Sequence, residues 1–395
     1  MPKRSPPSRS RPVSTPAPPR KAPSLAAARD KINALDTSLV ALLNERATLV
    51  VRVGEHKRAA GLPVYAPHRE AEVLGRVLAR NTGPLPGATL EAVYRELMSG
   101  SFTLQQPLRV GYLGPEGSYS HTAALRHFGS SVALTNLTDI TGAIDEATRG
   151  HVDYAIVPIE NTIGGGIVET LDALRDLILH AGRRDLAICA EVQLAVRHAL
   201  LTNADAASIQ RIYSKPEVLT QCREWIARQF PAAHLIPTPS SSRAAQIVAH
   251  EASAAVKKRL PVTSAAIGSQ LAGRLYGLHA LFTGIEDRPG NVTRFVVLAR
   301  QRVPPSGHDK TSIMFDLADK PGALVGVLGA FARRRINLTH IEKRPSGRRN
   351  WSYTFFVDCE GHQSDATMRQ ALEQAASHCK DLLILGSYPR STRVH

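Results

Sequence analysis

The chain reads as three folded units in series: an all-helical unit, an α/β unit and a small βαββαβ unit. Three observations predict this. A helical apolar period dominates residues 24–106, and apolar runs alternate with helical spacing through 107–302. Residues 310–390 then run strand, helix, hairpin, helix, strand, the order of a ferredoxin-like unit. With 395 residues, 43% of them hydrophobic, more than one core can be built. No run of eighteen apolar residues occurs, so no membrane helix is expected.

Residues 1–23 are mostly Pro, Ser, Arg and Lys, which predicts a disordered basic tail with no signal-peptide core. The formal net charge is +15, and the tail's Lys3, Arg4, Arg9, Arg11, Arg20 and Lys21 supply six of those charges with no acid among them. The remainder has no zinc-finger, RNP or basic-zipper signature, so nucleic acid is not the expected partner. Long-range steering of a dicarboxylate explains a positive enzyme equally well. Cys189, Cys222, Cys359 and Cys379 form no CxxC pair, which suits a reducing cytoplasm. The fifteen histidines form no HxxxH and no Cys/His cluster, so no metal site is expected.

The first helix spans Ser24 to about Ala60, with Ile32, Leu35, Leu39, Leu42, Leu43, Leu49, Val50 and Val53 as its apolar stripe. Gly61 and Pro63 end it. Further helices are predicted over about His68–Arg80 and Thr89–Leu104. Three helices bury little alone, which predicts dimerisation. At about 100° per residue, Arg46 and Lys57 fall within about 20° of each other. Arg29 points about 100° away from Arg46, towards a neighbouring subunit's site.

The segments AARDKINALD, LLNERATLVVRVGEHK, HREAEVL and SFTLQQP resemble the all-helical chorismate mutase domain. The resemblance implies Arg29, Arg46, Lys57, Arg69, Glu70, Ser101 and Gln105 as contacts to chorismate. The implied reaction, chorismate to prephenate, is a pericyclic rearrangement that needs no nucleophile or cofactor. Arginines clamp carboxylates, and Lys57 and Gln105 donate to the breaking ether oxygen. Ala66 stands where many relatives carry an acid.

The α/β unit opens on VGYLGPEGSYSHTAA, residues 110–124. An apolar run to Leu113 reads as a buried strand, Gly114, Pro115 and Gly117 as a sharp turn, and Ser118 as the N-cap of a helix. Backbone N–H groups there suit a carboxylate. Asp153–Gly166 places Glu160 and Asn161 at the carboxyl end of a second strand, where ligands of open α/β sheets bind. Residues 212–222 (IYSKPEVLTQC), 238–245 (TPSSSRAA) and 265–269 (AAIGS) repeat the strand-to-helix pattern, and NVTRF from Asn291 begins another strand.

Together GPEGSYSHTAA, VPIENT, YSKPE, TPSSSRAA, AAIGS and TRF resemble prephenate dehydratase over nearly all of 108–300. The resemblance implies two α/β lobes, like those of periplasmic binding proteins, with the site in the cleft between them. Prephenate then loses carbon dioxide and water to become phenylpyruvate. Thr293 is implied as donor to the leaving hydroxyl and Arg294 as a nearby charge. Ser118, Glu160, Asn161, Ser214, Ser240 and Ser241 are implied to line the cleft.

Gln301–Asp309 reads as a linker. Beyond it, strand Lys310–Leu317, helix Ala323–Arg334, a hairpin turning at Ser346–Arg349, helix Ser364–His378 and strand Leu382–Leu385 are predicted. The unit resembles the ACT regulatory domain, with Gly322, Ala323, Leu324 and Val325 as its GALV motif. Glu342, Lys343, Arg344 and Pro345 stand where relatives have ESRP. The resemblance implies L-phenylalanine bound between two such domains, giving feedback inhibition.

Overall fold

The computed structural model describes residues 24–179, 185–346, 352–391 and 393–395. The basic tail and residues 347–349 of the expected turn lie outside the described residues. The chain divides into two compact units inside its first helix, one through Arg52 and one from Val53 to His395. Helix α1 (Leu25–Ala59) has no Gly or Pro before Gly54, and Ser24 Oγ accepts from Ala27 N at its start. Its apolar stripe is open in this single chain, with Leu35 67% and Leu42 62% exposed.

In the second unit, α1 stops at Gly61, whose φ is +64°. Helices α2 (Pro67–Ala79) and α3 (Gly87–Gln105) follow, α2 with proline in its first turn. They form no core of their own. Tyr65, Met98 and Phe102 join Val110, Tyr112, Phe128 and Tyr154 in one apolar cluster, so the helices are fused to the α/β unit.

That unit has two lobes. The first holds β1 (Arg109–Leu113), α4 (Tyr119–Phe128), β2 (Ala133–Leu137), α5 (Ile140–Arg149), β3 (Tyr154–Asn161), β4 (Gly165–Gly166), α6 (Val168–Leu179) and β5 (Ala187–Ala195). The second comprises β6 (Ala199–Thr202), β7 (Arg211–Ser214), α7 (Pro216–Gln221), α8 (Arg223–Gln229), β8 (His234–Pro237), α9 (Ser241–Lys258), β9 (Ser264–Gly268), α10 (Gln270–Tyr276) and β10 (His279–Thr283). The chain then returns to the first sheet as β11 (Val292–Ala299), giving the orders β2-β1-β3-β11-β5 and β10-β6-β9-β7-β8. The chain crosses between the lobes twice, after β5 and after β10. The return matters most, because β11 pairs antiparallel with β3 and sets Thr293 opposite Asn161 and Arg294 opposite Glu160.

The C-terminal unit is β12 (Asp309–Leu317), α11 (Ala323–Ala332), β13 (Leu338–Pro345), β14 (Tyr353–Glu360), α12 (Ala366–Ala376) and β15 (Cys379–Pro389). Its sheet runs β13-β14-β12-β15, the ferredoxin-like arrangement. The last strand is longer than the apolar run Leu382–Leu385 suggested, because its second half lies against β5 of the first lobe.

Candidate active site

The turn between β1 and α4 is shaped by Gly117, whose φ is +79°. A Cβ there would sit 2.9 Å from the Cα of Ala272, so only glycine lets the second lobe approach this closely. Ser118 caps α4: its Oγ accepts from His121 N at 3.1 Å and donates to Leu113 O. Ser242 Oγ donates to Glu116 O, and Ser269 Oγ to Gly117 O at 2.6 Å. The loop is thereby clamped between the lobes.

Asn161 and Thr293 meet at the ends of β3 and β11. Asn161 Nδ2 donates to Thr293 Oγ1 at 2.9 Å and to Asn291 Oδ1 at 2.7 Å, while its Oδ1 accepts from the backbone of Ile163 and Gly164. A polar chain continues from there. Asn291 Nδ2 reaches Gln221 Oε1 at 3.4 Å, which also contacts His198 Nε2 at 2.9 Å, and His198 Nδ1 contacts the Tyr119 hydroxyl at 2.8 Å. Burial lowers the His198 pKa, so a neutral ring donating from Nε2 fits these partners. Thr293 is 9% exposed and its oxygen accepts, so its own proton remains to be given.

Glu160 and Arg294 do not share the face of Asn161 and Thr293, because neighbouring residues of a strand point to opposite faces. Arg294 pairs instead with Glu160 (2.9 Å), Asp358 of β14 (2.7 Å) and Glu191 (3.4 Å). Ser214, expected to line the cleft, is fully buried and donates to Ile267 O, bracing β7 against β9. Ser240 caps α9 by accepting from Arg243 N, with Ser241 next in its first turn.

Among the mutase candidates of the second unit, Lys57 Nζ donates to Val64 O at 2.7 Å, and burial ahead of the Arg69 charge lowers its pKa. Gln105 Oε1 is buried and accepts nothing among the described residues, and its Nε2 makes one 3.4 Å bond to Ser101 O. Gln105 packs on bare Gly54, where a Cβ would lie 2.6 Å from Gln105 Cγ. Ser101 donates to Leu97 O, and the exposed Arg69 pairs with Glu72. Arg29 is exposed and Arg46 partly so, both on the α1 segment of the first unit.

The model of chorismate mutase type II matches residues 28–106, that of prephenate dehydratase 110–303 and that of the ACT domain 311–377. A bifunctional chorismate mutase/prephenate dehydratase of Stutzerimonas stutzeri is 39% identical over 94% of this chain and 99% of its own. The chain belongs to the bifunctional chorismate mutase/prephenate dehydratase family. A Pseudomonas aeruginosa member is also 39% identical, over 93% of this chain and 98% of its own. A prephenate dehydratase from Arthrobacter aurescens, solved in complex with L-Phe, superposes with a TM-score of 0.62 at 30% identity, over 72% of this chain and 90% of that one. As in other bifunctional chorismate mutases/prephenate dehydratases, an isomerase and a lyase share one polypeptide. Asn291, Gln221, His198 and Tyr119 went unnoticed in the sequence. Tyr119 lies within GPEGSYSHTAA, Asn291 heads NVTRF and Gln221 ends the helix that begins in YSKPE, so of the four only His198 lies apart from a motif that signalled a site.

The mutase part carries one pH signature. Burial, opposed by Arg95, pushes the Glu70 carboxyl from the ordinary 4.5 up to about 8. A raised carboxyl pKa means that the folded chain holds a proton which the unfolded chain releases. The associated stability is present below 4.5 and lost as pH rises towards about 8. Melting curves of wild type and Glu70→Gln should therefore converge at low pH, with the glutamine form the more stable above neutrality. Parallel pH profiles would show that Glu70 ionises normally.

Proposed function

We propose that two separate centres run consecutive reactions on this chain. At the helical centre chorismate rearranges to prephenate. Lys57 and Gln105 donate to the breaking ether oxygen, Arg29 and Arg46 hold the carboxylates, and Arg69, Glu70 and Ser101 complete the pocket. The half-satisfied, buried amide of Gln105 supports its role, since it has capacity left for a ligand.

In the cleft, prephenate becomes phenylpyruvate. The bond from the ring to its carboxylate breaks and carbon dioxide leaves, the electron pair aromatises the ring, and the ring hydroxyl departs as water on a proton from Thr293, which regains one from solvent. The observation that carries this reading is the direction of the Asn161–Thr293 hydrogen bond, which leaves the threonine proton for the substrate. Ser118 and Ser240 shape helix N-termini that suit the carboxylates.

L-Phenylalanine is the proposed effector, bound by a pair of C-terminal units around Gly322, Ala323, Leu324 and Val325. Val325 is 72% exposed, as a residue awaiting a second copy would be. Glu342 and Arg344 face the first lobe: Glu342 abuts Gly166, and Arg344 binds Asp172 of α6 at 2.9 and 3.1 Å. Lys343 lies over the Tyr353 ring, 4.9 Å from its centre, on the other side of the strand. The proposed state is a cytoplasmic homodimer, and the open apolar stripe of α1 supports it.

The deciding experiment supplies chorismate and follows its loss together with phenylpyruvate, with and without phenylalanine. Phenylpyruvate that declines with phenylalanine supports the whole scheme. Accumulating prephenate would refute the cleft chemistry and direct attention to arogenate. No turnover at all would favour an amino-acid sensor. Arg344→Ala should raise the phenylalanine concentration for half-inhibition by about tenfold without changing the mutase rate.

A further inference from the structure

Between the first lobe and the C-terminal sheet lies a cavity of about 620 Å³ lined by Glu160, Arg294, Lys310, His340, Asp358 and Arg390, among others. Its fixed cations are already matched: Arg294 by Glu160 and Asp358, Lys310 by Glu191 at 2.8 Å, and Arg390 by Glu360. A further anion therefore finds no unbalanced charge. What the cavity holds is a chain of ion pairs joining two sheets.

One end of that chain is the catalytic ladder. Glu160 and Arg294 are the immediate backbone neighbours of Asn161 and Thr293, in the same register pairs of β3 and β11. A strand cannot rotate one residue without moving the next, so the two faces are mechanically coupled. The other end is the regulatory unit. Asp358 on β14 is 4% exposed, takes a 2.6 Å hydrogen bond from Ser312 and meets Arg294 at 2.7 Å. His340 on β13 meets Glu160 at 3.3 Å, two residues before the Glu342–Pro345 segment of the effector set. A bulge at Arg294/Phe295 interrupts the ladder at this point, so its geometry depends on what Arg294 holds.

We infer that Asp358 is a positioning residue for the dehydratase: through Arg294 it fixes the β3–β11 ends at which Asn161 and Thr293 meet, and with His340–Glu160 it reports effector binding to them. This rests on the assignment of dehydration to the cleft and of the effector to the C-terminal unit. A bridge that merely cements two domains would affect melting temperature alone.

The test uses full-length Asp358→Asn, which keeps the shape and the Ser312 contact and leaves Arg294 two other carboxylates. Its dehydratase kcat should fall about tenfold with KM for prephenate within about twofold, and phenylalanine should no longer inhibit. Its mutase kcat should not change. Unchanged kcat and full phenylalanine inhibition would overturn the inference. If that variant loses mutase activity too, it has misfolded, and His340→Ala decides, since it removes the contact to Glu160. Loss of phenylalanine inhibition in that variant supports the coupling, and retention overturns it. Failure of the wild type to dehydrate prephenate would instead strike the underlying functional reading.

Discussion

Thr293→Ala is expected to lower the dehydratase kcat by roughly 10²–10³-fold and to leave the mutase unchanged. The reasoning is one of hydrogen-bond direction. Asn161 Nδ2 can only donate, so Thr293 Oγ1 must accept and its hydrogen points elsewhere. Asn161 is itself fixed by three further partners, which pre-sets the hydroxyl before substrate arrives. Losing a positioned donor acts in the transition state, so kcat should fall with KM within a few-fold. Thr293→Ser keeps the hydroxyl and should recover most of the rate. The measurement is phenylpyruvate release from prephenate, with chorismate turnover as the control. Unimpaired turnover by the alanine variant would remove Thr293 from the chemistry.

The same region shows what a sequence can and cannot convey. Gly, Pro and Ser at loop positions announced the strand-to-helix turns, because cap and turn chemistry is local. Ser118, Ser240 and Ser269 do cap α4, α9 and α10. The ferredoxin-like order was legible for a related reason: strand and helix periods need no partner to be seen. The direction in which Glu160 and Arg294 face was not. It is set by β11, which returns from the second lobe and pairs with β3 about 130 residues earlier in the chain. The chain Asn291–Gln221–His198–Tyr119 was hidden likewise, its members lying in four separate segments. A hydroxyl at a strand end reads the same in sequence whether it meets a ligand or, as Ser214 does, a carbonyl. The boundary expected after the third helix is blurred by Tyr65 and Phe102, apolar residues whose destination was a core from another segment.

An equal mixture of Arg29→Ala and Arg46→Ala chains is expected to regain about a quarter of wild-type mutase activity, although each variant alone should lose it by about 10³-fold. Arg29 and Arg46 are seventeen positions apart on one helix and point about 100° apart, so one subunit's site does not readily use both. The exposed Leu35, Leu39 and Leu42 are the surface on which the proposed second copy would pair. In the proposed dimer each site would take Arg29 from one copy and Arg46 from the other. In a mixed dimer one site then receives both intact arginines and the other receives neither. Random pairing makes half the dimers mixed, and half their sites work. Were each site built within a single chain, every site in the mixture would lack one arginine and no activity would return. Dehydratase turnover, whose proposed residues lie wholly within Val53–His395, should stay constant through the series and so report equal amounts of folded protein.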